Sequence, residues 1–394
     1  MPLQQQAQSS VDETRLPQPP PTVMILGSYG PSMVRFRLPL IAGLRRHGCK
    51  VIASVPLNEM GQEDSHILEA LGVILADAPV ARHSLSFIQG LRYTFHVAKL
   101  LKDHRVDGLV AYTAKPVIFG TFAARATGVD SIVPLVTGLG TVFTGEATSA
   151  SQRAVRFVVA RLYRRALSMA GCAFFQNPDD PRDLAALGGL SLKKTRIEFM
   201  PGSGVDLRHF ALAAQQSTET GLVFLMIARI LADKGVREFA EAAAIVRESN
   251  AKARFLLVGP FDHNPSGVSP AEVQGWKHVE YLGPVDDVRP ILASCHVYVL
   301  PSYREGTPRS VLEAMSMGRA VVTTDAPGCR ETVANGVNGF LVPIRNAQEL
   351  AGALLRFIDS PDQIATMGAR SRQMAERKYD SEHAYDAVLK EFGY

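Results

Sequence analysis

Twice along this chain, short apolar strands alternate with helical segments, and that alternation restricts the fold more than any other feature. From Thr22 onward, "TVMILGSYG", "KVIASV", "DGLVAY", "SIVPLVT" and "CAFFQN" read as strands rich in β-branched and aromatic residues. Between them, "MVRFRLPLIAGLRRHG" and "PVIFGTFAARATG" have helical apolar spacing. After "FMPGSGVDLRHF" the pattern restarts with "GLVFLMIARI", "ARFLLVG", "VEYLGPV", "HVYVLPSY" and "AVVTT". Strands running one way with helices between them pair in parallel and are covered on both faces, so the expected class is α/β with two nucleotide-type domains in series. A chain of 394 residues, 46 % of them hydrophobic, is long enough to bury two cores.

The spacing assigns residues 22–205 to the first domain and 206–378 to the second, with the break near residues 202–220, where Gly202, Gly204 and the polar "AAQQSTETG" interrupt the pattern. Residues 379–394 read as a closing helix able to return to the first domain. Residues 1–21 are rich in Gln, Ser and Pro and read as a disordered tail; they lack the basic start and apolar core of a signal peptide. No apolar run approaches the roughly 18 residues a spanning helix needs, which predicts a cytoplasmic protein without a transmembrane segment. Cys49, Cys172, Cys295 and Cys329 are scattered without metal-ligand spacing, as expected of buried thiols in a reducing compartment, and no metal site is expected. The net charge of +4 is unevenly spread: residues 1–205 hold 22 Lys and Arg against 15 Asp and Glu, and the remainder holds 20 against 23. A basic first half fits an anionic partner such as a membrane surface or a phosphorylated acceptor, whereas no nucleic-acid-binding module or set of base-stacking aromatics accompanies it.

In open parallel sheets, ligands bind beyond the carboxyl ends of the strands. One such junction is "HVYVLPSYREGTPRSVLEAMSMG", a strand, a loop and a helix, with Glu305 and Glu313 on either side of the helix start. Thr307 reads as the N-cap and Pro308 as the first helical residue, leaving Gly306 as open backbone before the exposed N–H groups. That end of a helix attracts phosphates, whereas carboxylates accept hydrogen bonds from diols, so phosphates and hydroxyls in one ligand describe a nucleotide-sugar. On residues alone, the plainer alternative is that Glu313 is an ordinary helix glutamate and Glu305 a loop charge. In "ARILADKGVREFAEAA", Arg229 and Lys234 lie at a strand-to-helix turn and form a candidate diphosphate clamp or, equally on spacing, surface charges. "GSYG" follows the first strand without completing a dinucleotide fingerprint; its Gly30 is a candidate donor contact, and Arg35 and Arg37 beyond it are candidate contacts for an acceptor diphosphate or solvated charges.

Arg229 and Lys234 in "ARILADKG", the Glu305 and Glu313 pair with seven residues between, "PGSGVDLRHF" at 201–210 and "GFLVP" at 339–343 together resemble the retaining glycosyltransferases of family 4, over nearly the whole chain after the tail. The resemblance implies a GT-B fold, two Rossmann-like domains facing across a cleft, with the nucleotide-sugar donor held mainly by the second. It implies that Arg229 and Lys234 neutralise the donor diphosphate, that Glu313 holds the ribose hydroxyls, and that Glu305 with the backbone at Gly306, Thr307 and Pro308 contacts the donor sugar. It also implies retention of the anomeric configuration, with no metal required.

A narrower resemblance lies in "AYTAKPVIFGTFAARATGV" at 111–129 and "LVTGLGTVFTG" at 135–145, which look like the bacterial subgroup that extends undecaprenyl-diphosphate-linked sugars. Many members of the wider family carry a histidine where this chain has Lys115, a departure that suits a diphosphate; a surface lysine before a Pro-started helix is the plainer alternative. Lys115, Gly138 and Gly140 then join Arg35 and Arg37 as acceptor-side candidates. In "QRAVRFVVARLYRRAL", a helical projection gathers Val155, Val158, Val159, Leu162 and Ala166 on one stripe and places Arg153, Arg156, Arg161, Arg164 and Arg165, with Phe157 among them, on the other half. Such a helix suits anionic lipid on its arginine side and its own domain on its valine side. The expected function is transfer of a hexose or N-acetylhexosamine from a nucleotide donor, UDP-linked by preference, to an undecaprenyl-diphosphate glycan at the inner membrane face. The alternatives are a transferase with a soluble acceptor and a catalytically silent sugar-nucleotide-binding subunit.

Overall fold

The computed structural model describes residues 20–80, 86–143, 149–191, 193–262 and 266–394, so nearly all of the expected tail lies outside the described residues. In the first domain the chain runs β1 (Thr22–Leu26), α1 (Ser32–Arg46), β2 (Lys50–Val55), α2 (Gln62–Ala70), β3 (Ile74–Asp77), α3 (Phe87–Asp103) and β4 (Gly108–Tyr112). It continues through α4 (Thr121–Thr127), β5 (Ser131–Val136), α5 (Ala150–Leu167), β6 (Cys172–Phe175), α6 (Asp179–Ala186) and β7 (Arg196–Phe199). The second domain begins β8 (Val223–Ile227), α7 (Val236–Ser249), β9 (Arg254–Val258), α8 (Pro270–Gln274), β10 (Glu280–Gly283), α9 (Arg289–Ser294) and β11 (Val297–Leu300). Then follow α10 (Arg309–Ser316), β12 (Ala320–Thr324), β13 (Gly339–Val342), α11 (Ala347–Asp359), α12 (Asp362–Lys378) and α13 (Asp386–Lys390).

Both sheets are parallel, ordered β3-β2-β1-β4-β5-β6-β7 and β10-β9-β8-β11-β12-β13 among the described residues. Alternation along β1 shows why: Val23 and Ile25 join the core formed with Leu40 and Leu44 of α1, whereas Met24 and Leu26 join the core on the opposite face with Tyr93, Val97 and Phe119. Each fully buried aliphatic or aromatic side chain contributes about 1.5–3 kcal/mol, so a strand apolar on both faces is stable only between two helical layers. In each sheet the strand order reverses once, between β1 and β4 and between β8 and β11, and the loops leaving those strands form the crevice where ligands of such sheets bind.

The chain crosses between domains twice, and the crossings pair: Val205 N–H donates to Tyr379 O at 2.7 Å and Ser381 N–H to Val205 O at 3.1 Å. Beyond the second crossing the chain packs on the first domain through Tyr385, Val388 and Leu389, and only Asp386–Lys390 of the expected closing helix is helical. The linker is pinned by Arg319, fully buried, which donates to the carbonyls of Ala213, Ala214, Cys295 and Met317 and to Gln215 Oε1.

Candidate active site

The donor-side residues converge at the switch point of the second sheet. After β8, a short helical turn at Ala232–Lys234 and the left-handed Gly235 present Lys234, whose Nζ lies 2.5 Å from Glu305 Oε1, both side chains mostly buried. Gly235 is obligatory there, since a Cβ would overlap Pro301 O. Arg229, at the same turn, is half exposed and pairs with Asp262 Oδ2 at 2.6 Å. Lys234 and Glu305 are thus brought together as a pair, while Arg229 at the same turn is engaged by Asp262.

The start of α10 lies one residue later than the spacing predicts. Pro308, in extended conformation, is the N-cap, and it cannot cap with a side chain; Thr307 instead donates its hydroxyl to Gln176 O of the first domain at 3.4 Å. The first helical N–H groups bonded within the turn are those of Val311 and Leu312, both on Pro308 O, so the opening amides of Arg309 and Ser310 sit at the positive end of the helix. Glu313, one turn in, accepts from Arg309 Nε at 2.8 Å. Burial pushes the Glu313 carboxyl above the usual carboxylate range, and Arg309 pulls it part of the way back. Arg309 also lies over the Phe36 ring of α1 at 5.3 Å, spanning the cleft.

Gly306 has no space for a side chain: a Cβ would overlap Thr137 O and the Gln176 side chain of the first domain. Gly138, at φ +125 and next to Thr137, also lies against the Gly306 backbone. Gly138 is thus a point of contact between domains, and Gly306 is packed, not open. Gly30 is also packed: it is buried, and a Cβ there would meet the backbone of Met60, so its missing side chain answers to packing. Arg37 is corrected more sharply. It is 3 % exposed, donates to the Tyr385 hydroxyl at 2.6 Å and stacks on Tyr112 at 4.2 Å, tying α1 to the returning C-terminal segment instead of meeting an acceptor. Arg35, two residues earlier, is exposed.

On the first domain a cavity of about 950 Å³ opens between α3 and α5. Its walls include Tyr93, Phe119, Val155, Val158 and Leu162, and Lys115 and Gly140 lie on its lining. Partial burial lowers the Lys115 pKa, which marks a cation held in a partly apolar setting. The helix expected at 116 onward begins as a π-helical turn, Pro116–Gly120, before α4. The stripe expected on α5 is rotated: Ala160, Tyr163, Ala166 and Leu167 are buried, whereas Val158 is 54 % exposed and Val155, Val159 and Leu162 line the cavity. Arg153, Arg161, Arg164 and Arg165 are exposed, with Arg161 over the exposed Phe157 ring at 5.0 Å. Arg156 is half-buried and donates to Val142 O at 3.0 Å, so it braces the cavity mouth. Sequence reading missed α3, whose Ile88, Leu91 and Phe95 are exposed on one face at helical spacing, with Arg92 and Lys99 exposed beside them; apolar residues recurring at that spacing were the available signal.

Residues 33–202 match the glycosyl transferase 4-like domain family and residues 221–360 the glycosyl transferases group 1 family. Over 93 % of this chain and 98 % of the relative, the sequence is 32 % identical to the N,N'-diacetylbacillosaminyl-diphospho-undecaprenol alpha-1,3-N-acetylgalactosaminyltransferase of Campylobacter jejuni. The chain belongs to the family 4 glycosyltransferases. A second relative of this glycosyltransferase, the UDP-Gal:alpha-D-GlcNAc-diphosphoundecaprenol alpha-1,3-galactosyltransferase of Escherichia coli, is 26 % identical over 82 % of this chain and 86 % of its own. Among solved structures, Anabaena HepE in complex with UDP and glucose superposes with a TM-score of 0.73 at 19 % identity, covering 94 % of this chain and 99 % of that one. Sucrose-phosphate synthase of Thermosynechococcus elongatus gives 0.73 at 18 % identity over 95 % and 97 %. The glycosyltransferase therefore has the GT-B fold, and none of its described helices is long and apolar enough to cross a membrane.

Proposed function

We propose that this glycosyltransferase moves a hexose or N-acetylhexosamine, with retention, from a UDP-linked donor to an undecaprenyl-diphosphate-linked glycan. The observation that carries the reading is the Lys234–Glu305 pair at the second-sheet switch point, beside the start of α10. In this arrangement the β-phosphate of the donor displaces Glu305 as the partner of Lys234, and Arg229 and the amides of Arg309 and Ser310 take the remaining phosphate oxygens. Freed from Lys234, Glu305 accepts from sugar hydroxyls, and Glu313, oriented by Arg309, accepts from the ribose diol.

As the glycosidic bond breaks, negative charge develops on the departing diphosphate, and fixed cations and helix amides aimed at that point are the form of stabilisation that contributes most in such sites. These groups carry the charge without a metal ion, so transfer is expected to survive chelator. No side chain is assigned as a covalent nucleophile; attack from the leaving-group face delivers retention. On the acceptor side, Lys115 meets the diphosphate and the cavity between α3 and α5 takes the adjoining apolar chain, a reading supported by the presence of Lys115 on the lining of that cavity. The exposed Ile88, Leu91, Phe95 and Phe157, with the arginines of α5, form the face that rests on anionic lipid at the inner side of the membrane. The names of the two relatives, both acting on undecaprenyl-diphosphate-linked sugars, support this acceptor class.

The test is nucleoside-diphosphate release from a panel of UDP- and GDP-sugars, with a polyprenyl-diphosphate-linked mono- or disaccharide or with the same sugar free in solution. Release that requires one UDP-sugar and the lipid-linked acceptor is the expected result, with the new linkage keeping the donor's anomeric configuration by NMR. Equal turnover on the free sugar contradicts the acceptor assignment, and donor binding without turnover on either acceptor contradicts transfer.

A further inference from the structure

The loop that carries Glu305 is held from the opposite domain. Asp180, at the start of α6, is fully buried, and its Oδ1 accepts from Arg304 Nε at 3.1 Å and Nη2 at 2.5 Å. Arg304 immediately precedes Glu305, and its Nη2 also lies 2.7 Å from Asp183 Oδ2. Asn177, 1 % exposed, orders the same corner from within: its Oδ1 accepts the Asp180 N–H at 2.9 Å and its Nδ2 donates to Asp180 Oδ2 at 3.1 Å. The same Nδ2 reaches across the cleft to Glu305 O at 3.3 Å and Gly306 O at 3.1 Å. A second bridge runs in parallel, Arg330 Nη1 to Asp179 Oδ2 at 2.5 Å. Three carboxylates of α6 thus hold two arginines of the other domain, flanking the proposed donor-sugar loop.

Burying a carboxylate costs more than a paired cation returns on average, so such a cluster is a poor stabiliser for its depth. What a buried pair does supply is one defined arrangement in place of several. Within its own domain Asp180 accepts from the neutral Asn177 amide, whereas the guanidinium it holds belongs to the second domain. We propose that Asp180 is a positioning residue for sugar transfer, acting through Arg304 to lock the 304–307 loop against the first domain and so place Glu305 in the closed cleft. The assignment rests on the donor reading above for the role of Glu305, while the latch itself is a statement about how the two domains sit. Asp180 touches neither donor nor acceptor in this account. Its removal therefore affects the chemical step and spares the binding of a nucleotide held by the second domain.

The experiment compares the full-length wild type with Asp180→Asn, which keeps the shape and removes the charge, and with Arg304→Lys, which keeps the charge and removes the planar fork. Three quantities are read: UDP affinity by calorimetry, kcat and KM for transfer, and the distance between spin labels on Glu69→Cys and Glu248→Cys, exposed positions in α2 and α7. The four native cysteines are buried, which leaves the introduced thiols as the reactive ones. Expected for Asp180→Asn are UDP affinity within about twofold of wild type, kcat lowered at least about tenfold, and a broader, longer interdomain distance distribution, with Arg304→Lys in between. A wild-type kcat with an unchanged distance distribution overturns the proposal, and so does loss of UDP binding in step with activity, which makes Asp180 part of the donor site's own structure. If the wild type itself transfers no sugar, the donor reading fails, and the label distances still decide whether Asp180 holds the domains together.

Discussion

Replacing Glu305 by Gln separates the two things that residue does. In the free protein it is half of an ion pair at 2.5 Å with side-chain exposures of 18 % and 16 %, so neither the surface nor the fully buried case applies. Surface pairs contribute about 0–1 kcal/mol and breaking a buried one costs about 3–5, which brackets the loss here at about 1–2 kcal/mol. For domains of this size that lowers Tm by only about 2–8 °C. Loss of a fixed group that acts on the developing charge or the departing sugar costs about 2.7–4 kcal/mol in the transition state, about 10²–10³ in kcat. The assay is therefore paired: thermal unfolding of Glu305→Gln beside transfer kinetics at saturating donor and acceptor. A small Tm shift with a collapse in kcat is expected. Turnover within about threefold of wild type refutes the role of Glu305 in transfer, and a Tm drop matching the lost activity refutes the separation of its two roles.

Three further outcomes follow from the same structure. Because Arg319 satisfies five acceptors from a fully buried position, Arg319→Met leaves linker carbonyls unpaired and is expected to lower unfolding stability by about 3–5 kcal/mol in denaturant titration. Glu313 accepts from both hydroxyls of a diol only when ionised, and burial raises its pKa, so donor KM is expected to rise as pH falls, beginning above the ordinary carboxylate range, a limb that Glu313→Gln lacks. The same raised pKa means that the folded state binds this proton more tightly than the unfolded chain, so protonation of Glu313 adds stability as pH falls while donor affinity is lost. Reversing Arg153, Arg161 and Arg164 to Glu is expected to release the protein from anionic vesicles in co-sedimentation; Arg156 is left intact because it braces Val142 O.

The two-domain parallel architecture was legible because a strand buried on both faces is a nearly continuous run of apolar or β-branched residues, as β1, β4, β11 and β12 are. Edge strands β3 and β7 were not, since "ILAD" is only four residues ending on Asp77 and "RIEF" is half charged. The proposed donor cluster could be named from sequence because Arg229, Lys234, Glu305 and Glu313 fall after strand ends within short local motifs. Arg37 misled because its partners, Tyr112 and Tyr385, are distant in sequence, so a buried structural arginine and a ligand-facing one look alike from spacing. The Asp180–Arg304 contact was invisible for the same reason: it joins residues 124 apart across a domain boundary that periodicity locates but does not fold.

A crystal structure of the protein soaked with UDP tests the central claim most directly. The account places the β-phosphate within hydrogen-bond reach of Lys234 Nζ and the first amides of α10, with Glu305 released from Lys234 and the ribose diol on Glu313. Nucleotide density elsewhere in the cleft, or a Lys234–Glu305 pair left intact beside bound UDP, contradicts it.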